Sequence, residues 1–232
     1  MAERGGVVVV RPHEELREDM APRLRLELLR AAADDPPMVV CDLRGGVRDD
    51  DALAVLPEVA RTLRRWPACP FVVLADDDTR ARLVAAEGGS DLTVVADLDA
   101  APRPARLPAQ DRAAIRLQPT LHAPGVARRW LTAILQGWGR LDEVAVAALV
   151  LDELVTNGVV HAGTEVDIAV TRRPDRLELT VSDRSRDPLV RRTPAEGDER
   201  GHGLVLVDAL CTRWGVLPRH PEGKVVWLVL DR

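Results

Sequence analysis

Apolar residues in this chain follow two rhythms, and the change between them divides it. In the first hundred residues, short unbroken runs alternate with longer stretches of helical spacing. "VVVV" (Val7–Val10), "MVVCDL" (Met38–Leu43), "FVVLAD" (Phe71–Asp76) and "LTVVAD" (Leu92–Asp97) read as four strands. Residues 14–33 are helical in pattern, with Pro22 suited to the first turn of the better half. Leu24, Leu28 and Ala31 fall on one face there and are core candidates. "DALAVLPEVARTLRRW" is helical too, with Pro57 ending a first turn or kinking it. "DTRARLVAAEG" is a helix stopped by Gly88 and Gly89. Strands alternating with helices predict an α/β layer domain with a largely parallel sheet.

"DAAPRPARLPAQDR", Asp99 to Arg112, interrupts the pattern. Pro102, Pro104 and Pro108 oppose regular helix and sheet pairing. The expected division is residues 1–101, a Pro-rich linker at 102–112, and a second domain at 113–232. In that second part the order changes. A strand at "AAIRLQP" precedes a helix over 123–138, broken by Gly137 and Gly139, and a long helix over 142–162, ended by Gly163. "EVDIAVTRR" and "RLELTVSD" form two strands turning at Pro174–Asp175. A polar, Arg- and Pro-rich stretch runs from Arg184 to Arg200. "GHGLVLVDALCTRW" starts a helix on glycines, and "GKVVWLVLDR" is a final strand. The two parts show no internal repeat.

Composition narrows the classes. Of 232 residues, 46% are hydrophobic and 30% charged, as in ordinary globular proteins, and the net charge is −5. An acidic chain without Tyr and with a single Phe lacks the basic field and stacking platforms that nucleic acid requires. The basic residues are Arg except for Lys224, the only Lys. Cys41, Cys69 and Cys211 are odd in number and lack metal-ligand spacing, which suggests free buried thiols and a reducing compartment. The first apolar run is too short for a signal peptide, and none approaches the ~18 residues of a membrane span. A cytoplasmic location is expected.

Three features carry candidate chemistry. In "VLDELVTNGVVHAG", Glu153, Asn157 and His161 are spaced i, i+4, i+8. On a helix they form one polar stripe, drifting about 40° per step. A solvated face is the ordinary explanation, but such a face more often carries Glu, Lys or Arg than Asn beside Gly. Gly158 would let a backbone or a ligand approach closely. In "RLELTVSD", Asp183 shares parity with Leu177, Leu179 and Val181, so a carboxylate ends an apolar face. It must find hydrogen-bond donors, either in the following turn or on a ligand. In "RGHGLVLV", glycines at a helix start expose N–H groups where phosphate binds well, although G-x-G alone is weak.

Taken in order, E-L-V-T-N-x-x-x-H, V-S-D-x-S, G-x-G-L-x-L-V and G-K-x-V-W resemble the GHKL-type ATP-binding domain. More narrowly, they are similar to the bacterial anti-sigma factor serine/threonine kinases, over residues 115–232. The resemblance implies a two-layer α/β sandwich that binds ATP and Mg²⁺. It makes Glu153 the general base and Asn157 the Mg²⁺ ligand, and it sets His161 near the phosphates or in support of the site. Asp183, with Ser185 after it, would accept the adenine amino hydrogen. Gly201, His202, Gly203 and Leu204 would form the phosphate loop and helix start, and residues 184–200 the lid. This chain departs from the family pattern at His202 in place of Arg and at Gly158 in place of Ala; its D-R-S stands where the wider superfamily has D-x-G-x-G, although D-x-S is familiar in the anti-sigma branch.

The first part resembles a STAS domain, the fold of anti-sigma factor antagonists, over residues 6–101, with the first strand of that fold missing. Where antagonists carry a phosphorylatable Ser, this chain has Asp49, Asp50, Asp51 and Ala52. An Asp there would mimic phosphoserine at lower charge, or serve as a solvated acidic loop capping the next helix. Together the resemblances imply a kinase acting on an antagonist protein or controlling a sigma factor, with homodimerisation expected from the resemblance alone. A non-catalytic protein-interaction scaffold is the alternative. A sensor histidine kinase fragment would need a dimerising helical hairpin with a phospho-accepting His before the ATP domain, and the linker region offers only His122. A gyrase- or MutL-type ATPase would need a transducer domain after residue 232.

Overall fold

A computed structural model describes residues 2–4, 7–34, 36–65, 69–86, 91–102, 111–185, 187, 203–219 and 221–232. It divides into two compact units, Met1–Arg106 and Leu107–Arg232. Among the described residues no helix is long and apolar enough to cross a membrane.

In the first unit the branched runs form strands, as their spacing predicts. The sheet is β1 (Ala2–Arg4), β2 (Val7–Val10), β3 (Val39–Asp42), β4 (Phe71–Leu74) and β5 (Thr93–Val95), in that spatial order. β2 to β5 are parallel, and β1 pairs antiparallel with β2. β1 is an addition to the sequence pattern: three residues with no apolar run give no signal. The connecting helices are α1 (Ala21–Ala33), α2 (Val55–Arg65) and α3 (Asp77–Ala85). Pro22 lies in the first turn of α1, where a missing N–H costs no helix bond. Leu24, Leu28 and Ala31 are all buried. Pro57 likewise falls in the first turn of α2, which follows a 3₁₀ turn over Asp50–Ala54. The acidic loop does not cap that turn through Asp49. The Asp49 carboxylate instead accepts from the Glu18 backbone N–H at 3.1 Å, and Asp50 pairs with Arg82 at 2.6 Å.

The second unit is a mixed α/β layer built on an antiparallel sheet. Its strands are β6 (Arg112–Leu117), β7 (Val166–Arg172), β8 (Arg176–Asp183), β9 (Arg213–Pro218) and β10 (Lys224–Asp231), in the spatial order β6-β7-β8-β10-β9. The helices are α4 (Ala123–Gly137), α5 (Val144–Asn157) and α6 (Gly203–Leu210). Ala123, Ala127, Leu131 and Leu135 recur every four residues, so α4 buries one stripe. That stripe joins Val150, Leu151 and Leu154 of α5 and a sheet face of Ile168, Val170, Leu177, Leu179, Val181, Val226 and Leu228 in one core. Each fully buried Leu of this kind contributes about 2 kcal/mol of hydrophobic stabilisation.

β9 departs from the sequence reading, which ran the last helix through Trp214. The helix ends at Leu210, and "RWGVLP" is an edge strand. Its Gly215 and Pro218 look like breakers. The Trp227 ring covers Gly215 so closely that a Cβ there would lie 2.7 Å from Cζ2. Pro218, at the end of an edge strand, gives up no ladder bond that the sheet needs.

Candidate functional site

The site is assembled where α5 ends over the end of β8. α5 is regular through Asn157, and the chain then widens into a π-helical turn over Gly158–Ala162 before Gly163 reverses it at φ 61°. Single π turns are rare in helices and recur at functional positions. Glu153 and Asn157 therefore share a face one α-helical turn apart, as their spacing predicts. Both are half-buried. Their neighbour Asp152 is held by Arg128 at 2.9 Å. The His161 backbone lies in the wider turn, where i+4 spacing no longer keeps a residue on the same face. Its side chain lies outside the described residues.

Gly158 shows why a poor helix former is kept. A Cβ there would lie 3.0 Å from Val166 Cγ2 and 4.0 Å from Asp183 Cβ. The close approach that glycine permits is thus to Val166 of the protein's own sheet, with Asp183 beside it at ordinary contact distance.

Asp183 is buried at the end of the apolar face of Leu177, Leu179 and Val181. Its need for donors is met within the chain. Oδ1 accepts from the Ser185 backbone N–H at 2.9 Å and from Lys224 Nζ at 3.0 Å, and Nζ is also 3.0 Å from Oδ2. Ser185 shapes the turn, its Oγ accepting from the Asp187 N–H at 3.1 Å. Sequence reasoning flagged Lys224 but did not bring it here. The pairing follows from register, since Lys224 opens β10 opposite Asp183 at the end of β8.

The glycine motif is described in part. Gly203 opens α6, and Leu204 is buried. Gly201 and His202 lie outside the described residues, as does most of the stretch 184–200.

The histidine kinase-like ATPase domain family matches residues 115–230. The chain belongs to this family. The matched residues take in all of the site geometry above, from Arg128 to Lys224. A crystal structure of the RsbU and RsbW domains of Rv1364c from Mycobacterium tuberculosis is similar over 56% of this chain, at 21% identity and a TM-score of 0.40. That similarity covers 34% of the other chain, so this protein spans about a third of it. No curated protein matches.

An ATPase domain takes Mg²⁺ with its nucleotide, and oxygen donors are the groups that could hold it. Glu153 and Asn157 offer hard oxygen donors on one face. Among the described residues no group of three His, Cys, Asp or Glu could enclose a metal. A Mg²⁺ ion needs no such cage, because it keeps waters and is bound by one or two protein oxygens together with phosphates. The residues present fit that group.

Proposed function

We propose that residues 113–232 bind ATP with Mg²⁺ and transfer phosphate to a Ser or Thr of a separate protein. One observation carries this reading. Within a family of ATPases, Glu153 and Asn157 stand one turn apart on α5, at the point where the helix end lies beside Asp183. Asn157 would hold Mg²⁺ through its amide oxygen, and the ion supplies charge neutralisation to the phosphates. The Glu153 carboxylate would accept the proton of an incoming hydroxyl, which strengthens that oxygen as a nucleophile. Asp183, Ser185 and Lys224 would face the base. Gly201, His202, Gly203 and Leu204 would lie along the phosphates, with His161 in support and residues 184–200 over the nucleotide. Phosphoryl transfer asks a protein mainly for such positioning and charge.

The first unit supports a regulatory setting. Its parallel sheet with an antiparallel edge strand suits a STAS-like domain whose acidic loop, Asp49 to Asp51, has no hydroxyl to phosphorylate. The acceptor is then a separate antagonist protein, and the output is control of a sigma factor in a partner-switching system in the cytoplasm. A second reading, a scaffold without catalysis, is favoured by the Asp183–Lys224 pair, because the carboxylate already has protein donors.

Calorimetry with ATP and ADP, with and without Mg²⁺, on the full chain and on Asn157→Ala tests the reading. Mg²⁺-dependent binding that the variant loses is expected. Glu153→Ala should then retain nucleotide and lose transfer. A wild type that binds no nucleotide would sink the kinase reading and leave the scaffold.

A further inference from the structure

The one lysine of the chain is set beside Asp183 by two independent constraints. Register is the first, since β10 pairs antiparallel with β8 and brings Lys224 opposite Asp183. The turn before it is the second. Gly223 has φ 109°, and a Cβ there would lie 2.1 Å from the Asp183 carbonyl oxygen. The chain thus enters β10 through backbone that only glycine fits. The result is an ion pair with Nζ 3.0 Å from both carboxylate oxygens and side chains only 12% and 10% exposed.

Donor and acceptor counts show what this pair can read. A carboxylate offers about four acceptor sites and an ammonium three N–H donors. Ser185 N–H and Lys224 use Oδ1, and Lys224 alone approaches Oδ2 among the described residues. By this count an acceptor site on Oδ2 and a donor on Nζ are left over. A carboxylate alone would favour the amino group of adenine and repel the O6 carbonyl of guanine. Beside an ammonium the edge is mixed. Adenine meets it with its amino donor and its N1 acceptor. Guanine meets it in the opposite order, with O6 toward Nζ and N1–H toward Oδ2.

We propose that Lys224 is a specificity-determining residue, and that the Asp183–Lys224 pair reads a purine through a mixed donor–acceptor edge that admits guanine as well as adenine nucleotides. The inference rests on the nucleotide-site reading above.

The test is calorimetry of ADP and GDP on the full chain with Mg²⁺, for wild type, Lys224→Met and Lys224→Arg, with thermal unfolding followed for each. The wild type should bind the two within about tenfold of each other. Lys224→Met should weaken GDP by at least about tenfold more than ADP, because both lose the bond from Nζ but the carboxylate left behind still accepts the adenine amino group and repels guanine O6. Lys224→Arg, which keeps the cation, should hold the ratio near that of the wild type. A wild type that prefers ADP by more than about a hundredfold overturns the proposal whether or not Lys224→Met folds. So does an unchanged ratio in a folded Lys224→Met. Either result leaves nucleotide binding standing, whereas a wild type that binds neither nucleotide overturns the site reading and this inference with it.

Discussion

Replacing Gly223 by Ala adds one methyl group at the point where β10 meets Asp183. Two costs follow, and they can be separated. The first is conformational: at φ 109° an L-residue is strained by about 1–3 kcal/mol. The second is steric. The new Cβ would lie 2.1 Å from Asp183 O and 2.8 Å from Arg184 Cα, both backbone atoms that cannot rotate away. The end of β8 must move to relieve these contacts, and the Lys224–Asp183 ion pair moves with it. The combined loss should reach about 3–5 kcal/mol, the range of severe single substitutions. Gly163→Ala is the control. Its φ of 61° imposes the left-handed penalty of about 1–2 kcal/mol, but a Cβ there meets nothing within 4 Å. Thermal unfolding followed by tryptophan fluorescence reads the right unit, since Trp130, Trp138, Trp214 and Trp227 all lie in it and only Trp66 lies outside. At about 4 °C per kcal/mol, Gly223→Ala should melt about 12–20 °C below wild type and Gly163→Ala about 4–8 °C below. Melting points for the two variants within about 2 °C of each other would refute the steric account.

Three further outcomes are expected. Hydrogen bonds from Arg44, with Arg11 adding to them against the cost of burial, hold the Asp42 carboxyl well below the usual carboxylate range. Its contribution to stability is therefore complete above the unfolded value of about 4 and is lost as pH falls toward its folded value, so urea midpoints at pH 7 and pH 3 should differ less in Asp42→Asn than in wild type. Burial pushes the Cys211 thiol up to about 12 and the Cys41 thiol higher still, so an aromatic disulfide reagent at pH 8 should label neither in the native chain, and all three thiols only after denaturation. Leu151→Ala, at a fully buried position in the second core, should lower stability by about 2–5 kcal/mol, read from the urea midpoint.

The elements legible in the sequence are those whose pattern has one cause. Leu24, Leu28 and Ala31 are spaced for one helix face, and all three are buried because that face meets the sheet. Glu153 and Asn157 lie on one face because an α-helix returns every four residues, and α5 remains an α-helix through both. The spacing carries no farther. His161 continues the same i+4 series, yet its backbone belongs to a π turn that local sequence does not announce. β9 was hidden for a different reason. Gly215 and Pro218 are breakers in isolation, and the partner that makes Gly215 necessary, the Trp227 ring, comes from another strand.

Asp183 shows how far local chemistry reaches. Parity along β8 places a carboxylate at the end of an apolar face, and desolvation then demands donors for it. The sequence states that demand but not who meets it. Ser185, two residues on, is a local answer. Lys224, 41 residues away, is not, for it depends on the register of β10 against β8 and on the one turn that Gly223 permits. The Asp183 Cβ also lies near Gly158, whose missing side chain leaves room for Val166. The turn after one strand and the start of another, distant in sequence, therefore fix one carboxylate. A substitution at Gly223 should thus move the Asp183–Lys224 pair while leaving Glu153 and Asn157 in place, and on the nucleotide-site reading proposed above the ADP affinity of Gly223→Ala, read by calorimetry, should fall; an unchanged affinity would count against that reading.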